Sequence, residues 1–199
     1  MFYKVFKRLI DIVGAVLMLV LFSPIFLLVG VLVACDTGFP VVFTQTRIGK
    51  DKMPFTIYKF RTMYATVPSD VPTYQVKPRK GLVTPVGKWL RKSKLDELPQ
   101  LWNILKGDMS LVGPRPALWS ETALIDARDR YGVNRLKPGL TGLAQVKGLQ
   151  VHKVKSKVEW DRQYLSEASL SLDLYCLLIT PFVLISSLLP FRGRNKRKR

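Results

Sequence analysis

Two long apolar runs dominate the hydropathy pattern of the chain. The first covers residues 12–35 and holds no charged side chain over 24 positions. At about 1.5 Å per residue a helix of that length extends roughly 36 Å, enough to cross a bilayer. Ser23 and Pro24 fall in the middle of this run, where proline removes a backbone donor and clashes with the preceding turn. The pattern therefore predicts a membrane helix that is bent or broken at these two residues.

The charges on either side of the first run do not orient it. Lys4, Lys7 and Arg8 precede the run, and three further cations follow it within about 20 residues. Because the two sides are balanced, the residues leave two topologies open. One is a re-entrant helix with both ends on the cytoplasmic face, and the other is an ordinary span.

The second apolar run, residues 174–189, has 16 positions and contains Pro181. As a helix it would extend about 24 Å, less than the roughly 30 Å hydrocarbon core of a bilayer. The pattern predicts an interfacial helix or a core helix rather than a span.

Residues 39–63 contain two stretches rich in β-branched and aromatic side chains around a turn with a glycine, which predicts a β-hairpin. In the second stretch Lys59 and Arg61 are two positions apart and share a face of the strand. That face suits a phosphate group, although charges that keep an exposed strand soluble give the same pattern. Residues 64–85 hold four prolines and no helical period, which predicts a loop.

A helical pattern begins at Val86 and ends at Gly107. Within it, Ser93 and Asp96 have the spacing of a capping pair ahead of an apolar helix face. Asp96 and Glu97 are then expected in a helix first turn, where the helix dipole favours negative charge. On the residues alone, capping explains the acidic pair, and a role in chemistry is the alternative.

Two stretches rich in glycine and proline follow. Pro114 and Pro116 restrict the backbone around Arg115, which favours a fixed guanidinium that contacts a phosphate through two N–H groups. A surface turn with an incidental arginine is the alternative. Residues 135–148 form a glycine-rich connection whose bare backbone could approach a nucleotide, a weak pattern by itself. Residues 120–131 are typical of a polar helix.

The charge balance indicates an anionic partner. Lys and Arg number 32 against 14 Asp and Glu, so the formal net charge is +18, which suits nucleic acid, a phosphorylated metabolite or anionic lipid. Residues 192–199 carry six of these cations and no acid, which predicts a polybasic tail that is solvated or touches anionic headgroups. The two cysteines, Cys35 and Cys176, form neither a zinc pattern nor a disulfide framework.

Four segments, taken together and in this order, resemble one family. They read FTQTRIG, YKFRTM, LDELPQLWNILKGDMSLVGPRP and KPGLTGLAQVKG, and they are similar to the motifs of the bacterial sugar transferases, the monotopic phosphoglycosyl transferases. The resemblance covers essentially the whole chain, and the length is that of the small members that consist of the catalytic core alone, such as the diacetylbacillosamine 1-phosphate transferase.

The resemblance implies an activity. A member of this family transfers a sugar 1-phosphate from a UDP-sugar to undecaprenyl phosphate or another polyprenyl phosphate, giving a polyprenyl diphosphate sugar and UMP, as the initiating step of glycoconjugate or exopolysaccharide assembly. The resemblance also implies Mg²⁺ and a re-entrant helix broken at a Ser-Pro pair, here Ser23 and Pro24.

The resemblance further implies roles for individual residues. Asp96 would be the nucleophile of a phosphosugar-aspartyl intermediate, and Glu97 would position the metal or the acceptor, so that both are candidate Mg²⁺ ligands. The candidate phosphate-binding residues are Arg115, Lys59, Arg61 and Arg91. The candidate nucleotide-sugar contacts are Pro138, Gly139, Thr141, Gly142 and Gln145. Many members carry an arginine where this chain has Leu149, so donor recognition is expected to differ here.

These predictions combine into one architecture, an α/β chain of the α+β type that is mostly helical. Residues 1–36 form the re-entrant membrane helix, residues 37–190 form a compact cytoplasmic catalytic core with a β-hairpin and interfacial amphipathic helices, and residues 191–199 form the polybasic tail. The expected location is the cytoplasmic face of the bacterial inner membrane, with a monotopic topology and phospholipid contacts. A homo-oligomer is compatible with the sequence, and no nucleic-acid partner is expected.

Two other classes of protein remain as alternatives. The charge and the tail are compatible with a membrane-anchored basic protein that binds anionic lipid or nucleic acid. The two apolar runs are compatible with a structural membrane protein that spans twice. The acidic pair among the cations argues against a simple anion binder, which has no need of it.

Overall fold

The computed structural model describes residues 2–64, 82–147 and 154–188. Within these ranges the chain forms eight α-helices and four short strands, which confirms the mostly helical α+β class with a β-hairpin. The helices are α1 (Phe2–Leu21), α2 (Ser23–Thr37), α3 (Pro85–Ser93), α4 (Gln100–Lys106), α5 (Thr122–Asp129), α6 (Leu143–Lys147), α7 (Val154–Glu167) and α8 (Leu170–Leu188). The strands are β1 (Val42–Ile48), β2 (Pro54–Phe60), β3 (Ser110–Val112) and β4 (Gly139–Thr141).

The helix break lies where the sequence predicts it. The axes of α1 and α2 are bent by 63° with Phe22 between them. Pro24 occupies the first turn of α2, where a missing N–H does least harm, and the Ser23 hydroxyl donates to the carbonyl of Val20 at 2.8 Å. The Ser-Pro pair therefore ends one helix and starts the next.

Helix α1 turns polar side chains towards the protein and apolar ones outwards. Arg8 donates to the carbonyls of Ile104 and Leu105 at the end of α4. Asp11 is buried and accepts hydrogen bonds from the Ser110 hydroxyl and the Leu111 amide, each at 2.9 Å. In an amphipathic helix of a soluble protein the apolar face packs on the core and the charged face is exposed. In α1 the charged side chains Arg8 and Asp11 bind the core instead, and the large apolar side chains are exposed. The exposed large apolar residues of α1 are Phe2, Val5, Phe6, Leu9, Ile10, Ile12, Val13, Val16, Leu17, Val20 and Leu21.

The predicted hairpin is confirmed. β1 and β2 pair antiparallel, starting with Val42 opposite Phe60. Ile57 on β2 packs in the main core with Leu101 and Ile104 of α4. The hairpin therefore lies on α4.

Asn103 of α4 fixes the hairpin to that helix through the free edge of β2. Its side-chain oxygen accepts from the Tyr58 amide at 3.1 Å, and its side-chain nitrogen donates to the Thr56 carbonyl at 2.7 Å. Asn103 is fully buried, so these bonds satisfy polar groups that water cannot reach. The consequence for the site is that Lys59 on β2 is held beside Glu97.

The segment between α3 and α4 differs from the prediction. Ser93 ends α3, and Lys94 follows in the left-handed conformation with φ 62°. A single 3₁₀ turn, Leu95–Glu97, then leads towards α4. The predicted capping pair of Ser93 and Asp96 is wrong, because the Ser93 hydroxyl donates back to two carbonyls of α3. Gly107 ends α4 with φ 92°, as predicted.

Helix α8 begins earlier than the apolar run that predicts it. It holds 19 residues from Leu170 and is long and apolar enough to cross a membrane, which corrects the prediction of a helix too short to span. Only 11% of its apolar window is buried, so most of the helix surface lies outside the core, although Cys176 packs within it. The predicted interfacial position stays a prediction. Near its start, buried Asp173 accepts from Lys7 at 2.8 Å and from Tyr164 at 2.6 Å. The exposed large apolar residues of α8 are Leu170, Leu174, Tyr175, Leu178, Phe182, Ile185 and Leu188.

The main core lies between these elements, around the short parallel pair of β3 and β4. Helices α1, α4, α6, α7 and α8 all contribute side chains to it. Its buried members are Ala15, Ile57, Leu101, Ile104, Met109, Leu111, Val112, Leu143, Tyr164 and Cys176. The main core thus includes the inner face of the N-terminal helix, and two smaller clusters of buried apolar residues lie beside it.

Candidate active site

The acidic pair lies in the 3₁₀ turn between α3 and α4 and points into the protein. Asp96 and Glu97 are each only 7% exposed. Lys94 makes this possible, because its left-handed backbone reverses the chain after α3 and directs the next turn towards the hairpin. Two adjacent carboxylates with so little exposure need compensating charges.

Glu97 has those charges. The Arg115 guanidinium donates to Glu97 Oε1 at 2.6 Å and to Oε2 at 3.4 Å, and Lys59 Nζ donates to Oε1 at 3.2 Å. Burial by itself raises the pKa of Glu97, but the Arg115 and Lys59 cations hold it well below its usual range. Glu97 is therefore ionised and holds in place the two cations that the sequence analysis predicts to bind phosphate. The Arg115 side chain keeps 47% of its surface exposed, so it is open to solvent on the side away from Glu97.

Asp96 is different, because its carboxylate is not fully paired. Its Oδ1 atom is buried and has no hydrogen-bond partner among the described residues. Burial and the neighbouring Glu97 charge raise the pKa of Asp96 to about 6, against lowering by Lys59, Lys94 and Arg91. At neutral pH the group is mostly ionised with one oxygen free, as a nucleophile requires.

Two further predicted cations have different positions. Arg91 of α3 donates through Nε to the Thr62 hydroxyl at 2.8 Å, and its charge acts on Asp96. Arg61 lies just beyond β2, where its amide donates to the Val41 carbonyl. None of the described side-chain contacts joins Arg61 to the acidic pair. The structure thus brings together Lys59, Arg91 and Arg115 around the carboxylates, but not Arg61.

Arg47 belongs to the site and was missed by the sequence analysis. Its charge acts on Arg115 and Glu97, and its guanidinium donates to Gln45 Oε1 at 2.6 Å. Its Nε atom is buried without a partner in the described part of the chain. Burial lowers the pKa of Arg47 to about 10, so it stays charged at neutral pH. Strand alternation was the available signal, since Gln45 and Arg47 share the face of β1 that the register pairs with Lys59.

A buried ion pair supports Arg115 from behind. Arg128 of α5 donates through Nε and Nη2 to Asp161 Oδ2 of α7, at 2.9 and 2.7 Å. Its Nη1 atom donates to the backbone carbonyl of Arg115 at 2.9 Å. The sequence analysis gave this stretch no function beyond a polar helix, because nothing local distinguishes a buried arginine from an exposed one. Arg128 acts as a positioning residue, since it fixes the backbone that carries Arg115.

The glycine-rich segment has a packing role that the sequence did not indicate. A Cβ on Gly139 or on Gly142 would clash with the backbone of Gly113, so both positions need glycine for close backbone contact. The Pro138 carbonyl accepts from the Ser110 amide at 2.9 Å, in line with the β3 and β4 pair. Whether this segment also contacts a nucleotide stays a prediction.

Other members of that segment are held inside the fold. The Thr141 hydroxyl lies 2.7 Å from the Thr180 hydroxyl of α8. The two polar atoms of the Gln145 amide are buried without partners in the described part of the chain. A shallow open cleft is lined by residues that include Gly49, Pro114, Arg115, Pro138 and Asn134. It joins three of the sequence motifs beside Arg115.

Residues 148–153 and the tail, residues 191–199, lie outside the described residues, and with them Leu149.

Comparison with known proteins identifies the family of the chain. The family model described as bacterial sugar transferase matches residues 2–187. The chain belongs to this family. The predicted family resemblance is therefore confirmed, and the acidic pair with its cations lies within the matched residues.

Three relatives place the chain within the bacterial sugar transferases. It is 40% identical over 188 residues to the UDP-glucose:undecaprenyl-phosphate glucose-1-phosphate transferase of Klebsiella pneumoniae, which covers 89% of this chain and 40% of that protein. It is 41% identical over 182 residues to the protein of the same name from Caulobacter vibrioides, covering 87% of this chain and 67% of that one. It is 39% identical over 195 residues to the exopolysaccharide production protein ExoY of Rhizobium meliloti, covering 90% and 86%. The chain spans less than half of the Klebsiella protein.

The donor set of this sugar transferase suits Mg²⁺ in one respect. Mg²⁺ in phosphate-handling sites is commonly bound by one or two carboxylates together with substrate phosphates. The unpartnered Oδ1 of Asp96 meets that need, whereas both Glu97 oxygens already accept from cations. Among the described residues, no group of three His, Cys, Asp or Glu side chains could hold a metal without the substrate. Asp96 is thus the better of the two predicted ligands.

Proposed function

We propose that this chain transfers a sugar 1-phosphate from a UDP-sugar to undecaprenyl phosphate, giving undecaprenyl diphosphate sugar and UMP through a covalent intermediate on Asp96. The observation that carries the proposal is the asymmetry of the acidic pair. Glu97 is neutralised by two cations, while Asp96 is buried, ionisable near neutral pH and unpartnered at Oδ1. Two relatives named as UDP-glucose:undecaprenyl-phosphate glucose-1-phosphate transferases support the same substrate classes.

In the first step a carboxylate oxygen of Asp96 attacks the β-phosphorus of the donor. The new bond joins that oxygen to phosphorus, and the bond from the β-phosphorus to the bridging oxygen breaks. UMP leaves with the electron pair, and the sugar stays on the phosphorus. Arg115 and Lys59 neutralise the diphosphate and the departing charge, and Glu97 keeps both cations aimed at it.

In the second step an oxygen of undecaprenyl phosphate attacks the same phosphorus. The bond to Asp96 breaks, the carboxylate is restored, and the lipid diphosphate sugar leaves. Two steps let a soluble donor and a lipid acceptor use one site in turn. Mg²⁺ bound at Asp96 and at the substrate phosphates would add positive charge to the same group.

A test of the function is UMP release with and without the lipid acceptor. Without undecaprenyl phosphate the enzyme is expected to release UMP up to one equivalent per chain and then stop, because the phosphosugar occupies Asp96. Adding the acceptor should restart turnover. A panel of UDP-sugars with Mg²⁺, quenched on the second timescale, measures UMP, and mass spectrometry of the chain measures the adduct. No UMP with any UDP-sugar would contradict the function, and UMP only when both substrates are present would contradict the intermediate.

We further propose that α1 and α2 form a re-entrant membrane segment and that the chain is monotopic on the cytoplasmic face of the inner membrane. The outward apolar surface of α1 continues on α2 at Leu27, Leu28, Val31 and Leu32, and a comparable surface lies on α8. The inward polar side chains Arg8 and Asp11 bind the catalytic core, so the core and the start of α1 lie on one side of the membrane. A bend of 63° is compatible with the return of α2 to the same side when α1 enters the membrane obliquely, which supports the proposal.

Thiol labelling tests this topology. Cys35 near the end of α2 is exposed, and Cys176 is buried. In a Cys176→Ser background, a membrane-impermeant maleimide is expected to label Cys35 in inside-out vesicles and not in intact spheroplasts. A Ser120→Cys variant without Cys35, exposed on the catalytic core, is the matched control and should label in the same preparation. Labelling of Cys35 and of the Ser120→Cys variant from opposite sides would establish a span instead.

A further inference from the structure

Gln100 is a buried polar side chain that the mechanism above does not use. It is the first residue of α4 and is only 2% exposed. Its Nε2 atom is buried and has no hydrogen-bond partner among the described residues. A buried donor without an acceptor lowers stability, so a position that carries one needs another explanation.

The backbone places Gln100 on the same side as the acidic pair. Leu98 (φ −53°, ψ −39°) and Pro99 (φ −59°, ψ −15°) both have right-handed helical angles, so the 3₁₀ turn continues into α4 without a reversal. Gln100 therefore follows Asp96 by four helical positions and Glu97 by three, the spacings at which side chains are neighbours. Asp96 Oδ1 and Gln100 Nε2, two of the five buried side-chain atoms that lack partners among the described residues, thus belong to residues at neighbouring positions.

We propose that the Gln100 carboxamide donates a hydrogen bond to an oxygen of the phosphoryl group that is transferred to Asp96. This inference rests on the proposed function. Oδ1 and Nε2 are a natural acceptor and donor, yet they do not bond to each other, which leaves both available to one ligand. The ligand chemistry that satisfies both is a phosphoryl group, whose phosphorus accepts the carboxylate and whose oxygens accept the amide.

A neutral donor has an advantage at this position. A side-chain cation at this position would pair with the Asp96 carboxylate and occupy the Oδ1 atom that the proposed nucleophile and Mg²⁺ ligand needs, and Lys59 and Arg115 are already bound to Glu97. An amide stabilises the charge that collects on the phosphoryl oxygens in the transition state and leaves the carboxylate free. Its contribution is expected in the chemical step more than in donor binding.

The test is a Gln100→Leu variant, which keeps the approximate volume and removes the donor. The rate of the first UMP turnover is expected to fall about 10²-fold, with a much smaller change in the KM for the UDP-sugar. The melting temperature without ligand is expected to be equal to that of the wild type or higher, since an unsatisfied buried donor is gone. Gln163→Leu on α7, where the amide donates to Glu167 and to no other described residue, is the matched control and should leave the rate unchanged.

Opposite outcomes overturn the inference. A Gln100→Leu variant with the rate of the Gln163→Leu control contradicts it, whatever its melting temperature. If the leucine variant does not fold, the isosteric Gln100→Glu variant decides. A rate of the first UMP turnover that falls by more than 10²-fold in this variant supports the phosphoryl contact, because a carboxylate repels the phosphoryl oxygens. An unchanged rate contradicts it. Failure of the proposed function is distinguishable, because the wild type would then release no UMP from any UDP-sugar.

Discussion

Replacing Asp96 by asparagine is expected to abolish the first UMP turnover, lowering its rate by more than about 10⁴-fold. The amide has the same shape but cannot form the phosphoryl ester that the proposed first step requires. The adduct measured by mass spectrometry should be absent as well. Asp126→Asn is a matched control, because Asp126 is exposed on α5 and is not part of the site. Full UMP release by the Asp96→Asn variant would refute the assignment of the nucleophile.

The same substitution is expected to increase stability, which separates loss of chemistry from loss of fold. Burial raises the pKa of Asp96 to about 6 from the ordinary 3.8, so folding favours its neutral form. The wild type therefore loses stability as the pH rises through about 6, and an uncharged asparagine does not. At pH 8 the gain in the free energy of unfolding should be on the order of 2–3 kcal/mol, and it should vanish near pH 4. Unfolding in detergent at both pH values measures it. A variant that is less stable than the wild type at pH 8 would contradict the burial cost assigned to Asp96.

Breaking the Arg128–Asp161 ion pair is expected to have the largest effect on the fold. Arg128 is 5% exposed and Asp161 is 2% exposed, so removing either leaves a buried charge without its partner. Arg128→Met and Asp161→Asn should each lower the free energy of unfolding by about 3–5 kcal/mol, and the double variant by clearly less than their sum. Asp129→Asn on the same helix removes the exposed pair with Lys52 and should change stability little.

Activity distinguishes the two members of this pair. Only Arg128 donates to the Arg115 carbonyl, so Arg128→Met should reduce the rate per folded molecule more than Asp161→Asn does. Both variants are compared at a temperature where each remains folded. Equal rates per folded molecule in the two variants would mean that Arg128 is structural and does not position Arg115.

The parts of the fold that the sequence predicts correctly are those with local causes. The helix breaks before Pro24 because its ring clashes with the preceding turn and it lacks a backbone N–H, and the hairpin follows from strand alternation around a short turn. Gly107 ends α4 because it adopts a left-handed conformation that other residues avoid. The predicted start of α8 and the predicted capping of α4 by Ser93 were wrong. Both features depend on contacts with residues distant in the sequence, which a local pattern does not contain.

The residues alone are enough to assign a carboxylate pair, several cations and a broken apolar helix to one chain that resembles the bacterial sugar transferases. Which carboxylate is paired follows only from the folded chain, where Glu97 binds two cations and Asp96 Oδ1 has no partner among the described residues. Asp96 and Glu97 are adjacent in the chain, yet the cations that neutralise Glu97 come from positions 38 and 18 residues away, on β2 and beyond β3. Charge pairing depends on distance in space and on exclusion of water, and neither is set until the hairpin packs on α4.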